Sequence, residues 1–108
     1  MRFGKPLPFQ GRVVWLTPEQ GGRTCGPATG DPETGDYAAT AYLPPQNAES
    51  GLASFVLRIT DPGAWISLAE GAWLVPQDDP AFTVAPGAVL VITEGPQPVA
   101  YFHVAAIH

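Results

Sequence analysis

Glycine and proline interrupt this chain so often that no long helix fits between them. Its 108 residues include 13 prolines and 12 glycines, and both residue types end or bend regular elements. The apolar runs that remain are short. Several of them alternate apolar with polar or small side chains, which is the period of a half-buried strand. The pattern therefore predicts short β-strands joined by turns.

The clearest alternation runs over residues 53–60, where Phe55, Leu57 and Ile59 fall on one side of the predicted strand. Further strands are predicted over four segments: residues 11–16, 36–43, 88–93 and 99–107. Turn signals separate these strands at fairly regular intervals. Six to eight short strands arranged in this way predict an all-β fold, either a closed antiparallel barrel or a sandwich.

Other regions leave more than one interpretation. Residues 65–68 and 72–75 are either two short strands or one strand with a bulge. Residues 82–84 are expected to be extended between two turns. Residues 1–10 are predicted to form an extended N-terminal arm, because prolines interrupt them. The length fits one domain that spans residues 1–108.

Charge is sparse and negative in this sequence. Charged residues make up 14% of the chain and the formal net charge is −5, whereas soluble domains average about 25% charged residues. The basic residues are Arg2, Lys5, Arg12, Arg23 and Arg58. Nucleic-acid binding needs a basic stripe, so DNA binding is not expected and RNA binding is disfavoured. A weakly charged, aromatic-rich chain favours contact with a protein partner or a second copy of itself.

Cysteine content and hydropathy bear on the compartment. Cys25 is the only cysteine, so no internal disulfide can form, which fits a reducing environment. The first residues lack the apolar core of a secretory signal. No apolar run approaches the roughly 20 residues that a membrane-spanning helix needs. We therefore expect a cytoplasmic protein without a membrane anchor.

The long loop over residues 17–35 is the candidate contact site, because loops of this length in a compact domain are usually functional. It contains Gly21, Gly22, Arg23 and Thr24. The glycines permit positive φ angles and expose backbone N–H groups, and Arg23 can hold a carboxylate or phosphate. The alternative is a tight turn in which Arg23 pairs with a local acid.

The segment GRVVWLTPEQGGRT at residues 11–24 resembles the opening strand and Gly-Gly-Arg loop of the C-terminal β-barrel domain of translation elongation factor Tu. Residues 84–90, VAPGAVL, are similar to the family's Pro-Gly turn, and residues 99–103 stand where its next apolar strand begins. For the second strand, residues 42–46 and 55–61 both match, and the two registers stay open. The resemblance covers most of residues 9–108 and implies a small closed antiparallel barrel.

In that family the domain does no chemistry. It packs on a GTPase domain and contributes to contacts with transfer RNA and the nucleotide exchange factor, a role that the resemblance carries over only to Gly21–Thr24. The family's final hairpin is missing or shortened here, and the loop over residues 25–36 lacks its aromatic and basic residues. No phosphate-binding loop G-x-x-x-x-G-K-[ST] occurs, which excludes GTP hydrolysis by this chain. The expected function is a non-enzymatic binding or adaptor module that holds a protein partner or a second copy of itself through its loops or an apolar barrel face. The first alternative is an RNA- or translation-associated factor.

A second alternative is a small ligand-binding barrel or an enzyme that uses Cys25 or His103. A nucleophilic Cys–His pair needs an orienting third group, and the sequence indicates none. Metal-binding spacings such as H-x-x-x-H or C-x-x-C are lacking as well. We therefore expect no catalytic residues, no metal ion and no cofactor.

Overall fold

Six antiparallel strands close into a barrel in the computed structural model, which describes residues 7–49, 51–75 and 79–107. The strands are β1 (Phe9–Trp15), β2 (Asp36–Tyr42), β3 (Ala53–Ile59), β4 (Ile66–Trp73), β5 (Val89–Glu94) and β6 (Gln97–Ile107). Their order around the barrel is β1-β4-β3-β2-β5-β6, and β6 pairs with β1 to close it. The predicted all-β barrel of about six strands is confirmed.

Strand β4 is one continuous strand, so the alternative of two short strands is wrong, and the bulge of the other alternative is wrong as well. The strand pairs without a register shift with both β1 and β3. Gly71, which separates the two apolar pieces in the sequence, lies inside this strand. A Cβ atom there would lie 2.7 Å from the Phe55 ring and 2.9 Å from the Phe102 ring. The glycine therefore makes room for two core rings and does not mark a turn.

The described residues contain two helices, both 3₁₀ helices of three residues, at Pro18–Gln20 and Pro80–Phe82. The prediction of an extended Phe82 is wrong, since this residue ends the second helix. The Asp79 carboxylate accepts a hydrogen bond from the Ala81 N–H at 2.9 Å. This side-chain cap favours a helical turn over a strand.

At the N-terminal side, β1 begins at Phe9, so the predicted arm of residues 1–10 contributes its last two residues to a strand. Leu7 is buried on the outside of the barrel against Val56 and Ala72. Residues 1–6 of the predicted arm lie outside the described residues. Leu7 thus covers one part of the outer surface of β3 and β4.

The barrel interior is filled by an aromatic cluster. Phe55 is fully buried, and its ring lies 6.2 Å from Phe9, 5.0 Å from Trp73 and 6.1 Å from Phe102, centroid to centroid. At another position in the core, Trp15 meets the Tyr37 ring edge-on. Because these rings take up most of the space, small residues must occupy the neighbouring inward positions.

Candidate functional site

The loop that follows β1 is shaped by its two glycines. The short helix begins with a reciprocal cap between Thr17 and Gln20, and it ends at Gly21, which has φ 90°. Gly22 is buried, and a Cβ atom at this position would lie 2.3 Å from the Leu16 carbonyl oxygen. Both positions therefore require glycine for the path of the chain.

Arg23 is held against the protein by an ion pair. Its Nε atom lies 2.8 Å from Glu94 Oε2, and Nη1 donates to the Gly26 carbonyl at 2.9 Å. Gln97 donates a hydrogen bond to the Gly21 carbonyl. Of the four predicted contact residues, the structure thus places Gly21 and Arg23 against the β5–β6 hairpin. Gly22 is buried, and Thr24 is exposed.

Glu94, the partner of Arg23, also lies at the shortest strand pairing of the barrel, the one between β2 and β5. Strands β2 and β5 share only three paired positions. The Tyr37 hydroxyl on β2 donates to Glu94 on β5, and Thr40 bonds to Thr93 across the same pairing. These bonds therefore connect the loop to β2 and β5. They give the Gly-Gly-Arg motif a structural role, since they hold the loop against the barrel.

Burial raises the pKa of Tyr37, and the hydrogen bond to the Glu94 carboxylate raises it further. An unfolded tyrosine ionises near pH 10, so above about pH 10 the unfolded state loses a proton that the folded state keeps. We expect the free energy of unfolding to fall there by up to about 1.4 kcal/mol per pH unit from this group. Urea denaturation of the wild type and Tyr37→Phe, from about pH 8 to about pH 11, measures this. If the free energy of unfolding fell equally steeply with pH in the two proteins, this expectation would be contradicted.

Cys25 and His103, the residues of the enzyme alternative, belong to different elements of the barrel, a loop and a strand. Cys25 is exposed in the loop, with the Thr24 hydroxyl 4.0 Å from its sulfur. His103 is exposed on the outside of β6, where it is paired with Arg12 of β1. Within the described part of the chain, no group of three or more His, Cys, Asp or Glu side chains could hold a metal ion.

A second candidate site lies on the outside of the barrel, and it supplies the residues of the apolar barrel face that the sequence analysis could not name. A groove of about 780 Å³ runs over β4, β1 and β6. We define the β4–β1–β6 face by six residues along it: Arg12, Val14, Ile66, Leu68, Glu70 and His103. Ile66 is 58% exposed and Leu68 is 62% exposed. The groove therefore has large apolar side chains on its surface.

The direction of β4 explains this exposure. Its small residues Ser67, Ala69 and Gly71 are buried, while Ile66 and Leu68 point outward. The signal was present in the sequence as an alternation of large and small side chains. However, it is the crowding by Phe55 and Phe102 that decides which side of the strand faces inward.

Arg12 lies in the middle of this face, in register with Leu68 on β4 and with His103 on β6. Its side chain is exposed and makes no hydrogen bond or ion pair with another described residue. The other two described arginines differ from it. Arg23 pairs with Glu94, and Arg58 Nε lies 2.8 Å from Asp36 Oδ1, a hydrogen bond that raises the pKa of Arg58.

Comparison with protein-family models, curated proteins and solved structures gave no match. The resemblance to elongation factor Tu thus depends on the sequence motifs alone and stays a prediction. Across the described residues, no helix has the length and apolar character to cross a membrane.

Proposed function

We propose that this protein is a non-enzymatic module that binds a protein partner on its β4–β1–β6 face. The observation that carries the proposal is the exposure of Ile66 and Leu68 around an arginine that no described acid neutralises. Exposed apolar patches with a polar border are typical of protein-binding sites, and arginine is enriched in them. A cytoplasmic location and an elongation factor Tu-like role beside other proteins fit this proposal.

A partner protein suits the face better than a second copy of the chain. Each copy carries a net charge of −5, so two copies repel one another. The acid within the face is already engaged, since Glu70 accepts from Gln10 at 3.4 Å and lies 3.9 Å from Arg58. A different protein can offer Arg12 a free carboxylate.

The RNA-associated alternative has less support. It needs Arg12, Arg23 and Arg58 to present free positive charge together, because phosphate neutralisation supplies most of the affinity for RNA. Two of these three arginines are neutralised by Glu94 and Asp36. RNA binding therefore stays the second candidate.

The test is a double variant, Ile66→Ser with Leu68→Ser, compared with the wild type in pull-downs from native lysate with and without RNase. Because both side chains are mostly exposed, we expect the free energy of unfolding of the variant to lie within about 1 kcal/mol of the wild-type value, as is usual for surface substitutions. We expect one or more proteins captured by the wild type to be lost, and purified candidates to bind the wild type only.

The matched control is Val75→Ser, since Val75 is 61% exposed and lies outside the β4–β1–β6 face. It should capture the same proteins as the wild type. Equal capture by all three proteins would overturn the proposal. A loss of self-association in the double variant, seen by sedimentation, would instead identify a second copy as the occupant. Capture that RNase abolishes would favour the RNA-associated alternative.

A further inference from the structure

The β4–β1–β6 face has a chemical order along β1. At one end, Val14 is in register with Ile66, so this row is apolar. In the middle, Arg12 lies between Leu68 and His103. At the other end, Gln10 is in register with Glu70. Successive outward residues on a strand are roughly 7 Å apart, so an extended segment or one face of a helix can meet all three rows.

This order indicates what the occupant must carry. The apolar row favours an aliphatic or aromatic side chain, because burying exposed apolar area is favourable. The arginine in the next row favours a carboxylate, which its planar guanidinium can hold through two parallel hydrogen bonds. Glu70 in the third row repels a second carboxylate and favours a neutral or basic group.

From this arrangement we infer that the partner presents a peptide segment in which an Asp or Glu, bound by Arg12, directly adjoins apolar residues that lie on Val14, Ile66 and Leu68. The inference rests on the proposed function, whose binding face it uses. It adds the class of ligand, an acidic–apolar peptide, and the residue that recognises its charge. The carboxylate also has a fixed place, over Arg12 and away from Glu70.

Arg12 is well placed for this role because its neighbours provide contact without competing for its charge. Leu68, its cross-strand neighbour on β4, is apolar and 62% exposed. The arginine stem can lie along such a surface while the guanidinium stays free. Once a partner covers these side chains, water is excluded and the bond to the carboxylate strengthens.

The experiment is a selection from a random-peptide library displayed on phage. Peptides are selected on the wild-type protein and depleted on the Ile66→Ser, Leu68→Ser double variant, so that those retained need the β4–β1–β6 face. The retained peptides are synthesised, and their Kd values are measured for the wild type, Arg12→Gln, Arg12→Lys and Glu70→Gln. Thermal unfolding of each variant establishes that it folds.

We expect the retained peptides to be enriched in Asp or Glu beside apolar residues. Arg12→Gln should weaken binding about tenfold, equivalent to about 1.4 kcal/mol, and Arg12→Lys should weaken it less. Glu70→Gln should leave binding unchanged or strengthen it. Replacing the acidic residue of the peptide with its amide should weaken binding to the wild type and have little further effect on Arg12→Gln, as expected for a direct pair.

Three results would overturn the inference, and the third differs from the first two in what it says about the proposed function. If retained peptides lack acids, or bind Arg12→Gln as well as the wild type, the face binds a partner but not through this charge. If no peptide distinguishes the wild type from the double variant, the peptide-binding role of the face fails as well.

Discussion

Replacing Phe55 with alanine is expected to lower the free energy of unfolding by about 3–5 kcal/mol, the usual range for a buried phenylalanine. The side chain is fully buried, and three aromatic rings pack around it. Gly71 faces the same ring and carries no side chain that could fill the cavity. Urea denaturation followed by tryptophan fluorescence measures the change.

The control is Leu68→Ala, which also shortens a large apolar side chain but at a position that is 62% exposed. This substitution should cost less than about 0.5–1 kcal/mol. Such a contrast would separate the residue that stabilises the barrel from the one assigned to binding. Similar costs for the two variants would contradict the packing described for Phe55.

Gly11→Ala is expected to be the second most destabilising change, because Gly11 lies where β1 pairs with β6 to close the barrel. A Cβ atom at this position would lie 1.8 Å from the His103 carbonyl oxygen and 3.1 Å from the Val104 Cα. These are backbone atoms of β6, so the whole strand must move to admit a methyl group. We expect a loss of about 1–3 kcal/mol or more, and a fall in Tm of about 4–8 °C for each kcal/mol.

Amide hydrogen exchange shows which strands are destabilised, because weakening the β1–β6 pairing should speed exchange in β1 and β6 more than in β3. Gly63→Ala serves as the comparison. Gly63 has φ +88° in an open turn, where an added Cβ atom would meet no other atom within 4 Å. It therefore tests backbone strain alone, at about 1–2 kcal/mol. If Gly11→Ala is no more destabilising than Gly63→Ala, close packing at the β1–β6 pairing does not explain the effect of the substitution.

The fold could be predicted from the sequence because the alternation in β3 and the spacing of turns are local properties. The pattern over residues 53–60 predicts a strand with Phe55, Leu57 and Ile59 on one side, and these three side chains are buried. The continuity of β4 could not be predicted in the same way. Gly71 lies inside a strand because of rings contributed by two other strands, β3 and β6, and a local pattern does not show that these rings meet at Gly71.

The candidate site was less accessible to sequence reasoning. The Gly-Gly-Arg loop stood out as a motif, yet the acid that pairs with Arg23 lies on β5, far along the chain. Conversely, the sequence does not distinguish Arg12 from Arg23 and Arg58. The isolation of Arg12 emerges only when the barrel brings Leu68 and His103 to either side of it and places the acids elsewhere. Pairing across strands, and not composition, decides which charges remain available.

Closure of the barrel has a consequence for how this chain can meet other molecules. Strand β1, in the middle of the β4–β1–β6 face, is paired with β4 on one side and with β6 on the other, so its backbone donors and acceptors are already used within the sheet. Strand addition, by which many proteins capture extended peptides or polymerise, needs an open sheet edge. The barrel can therefore keep Ile66 and Leu68 exposed without offering β1 as a template for cross-β growth, and recognition on the β4–β1–β6 face must be made by side chains.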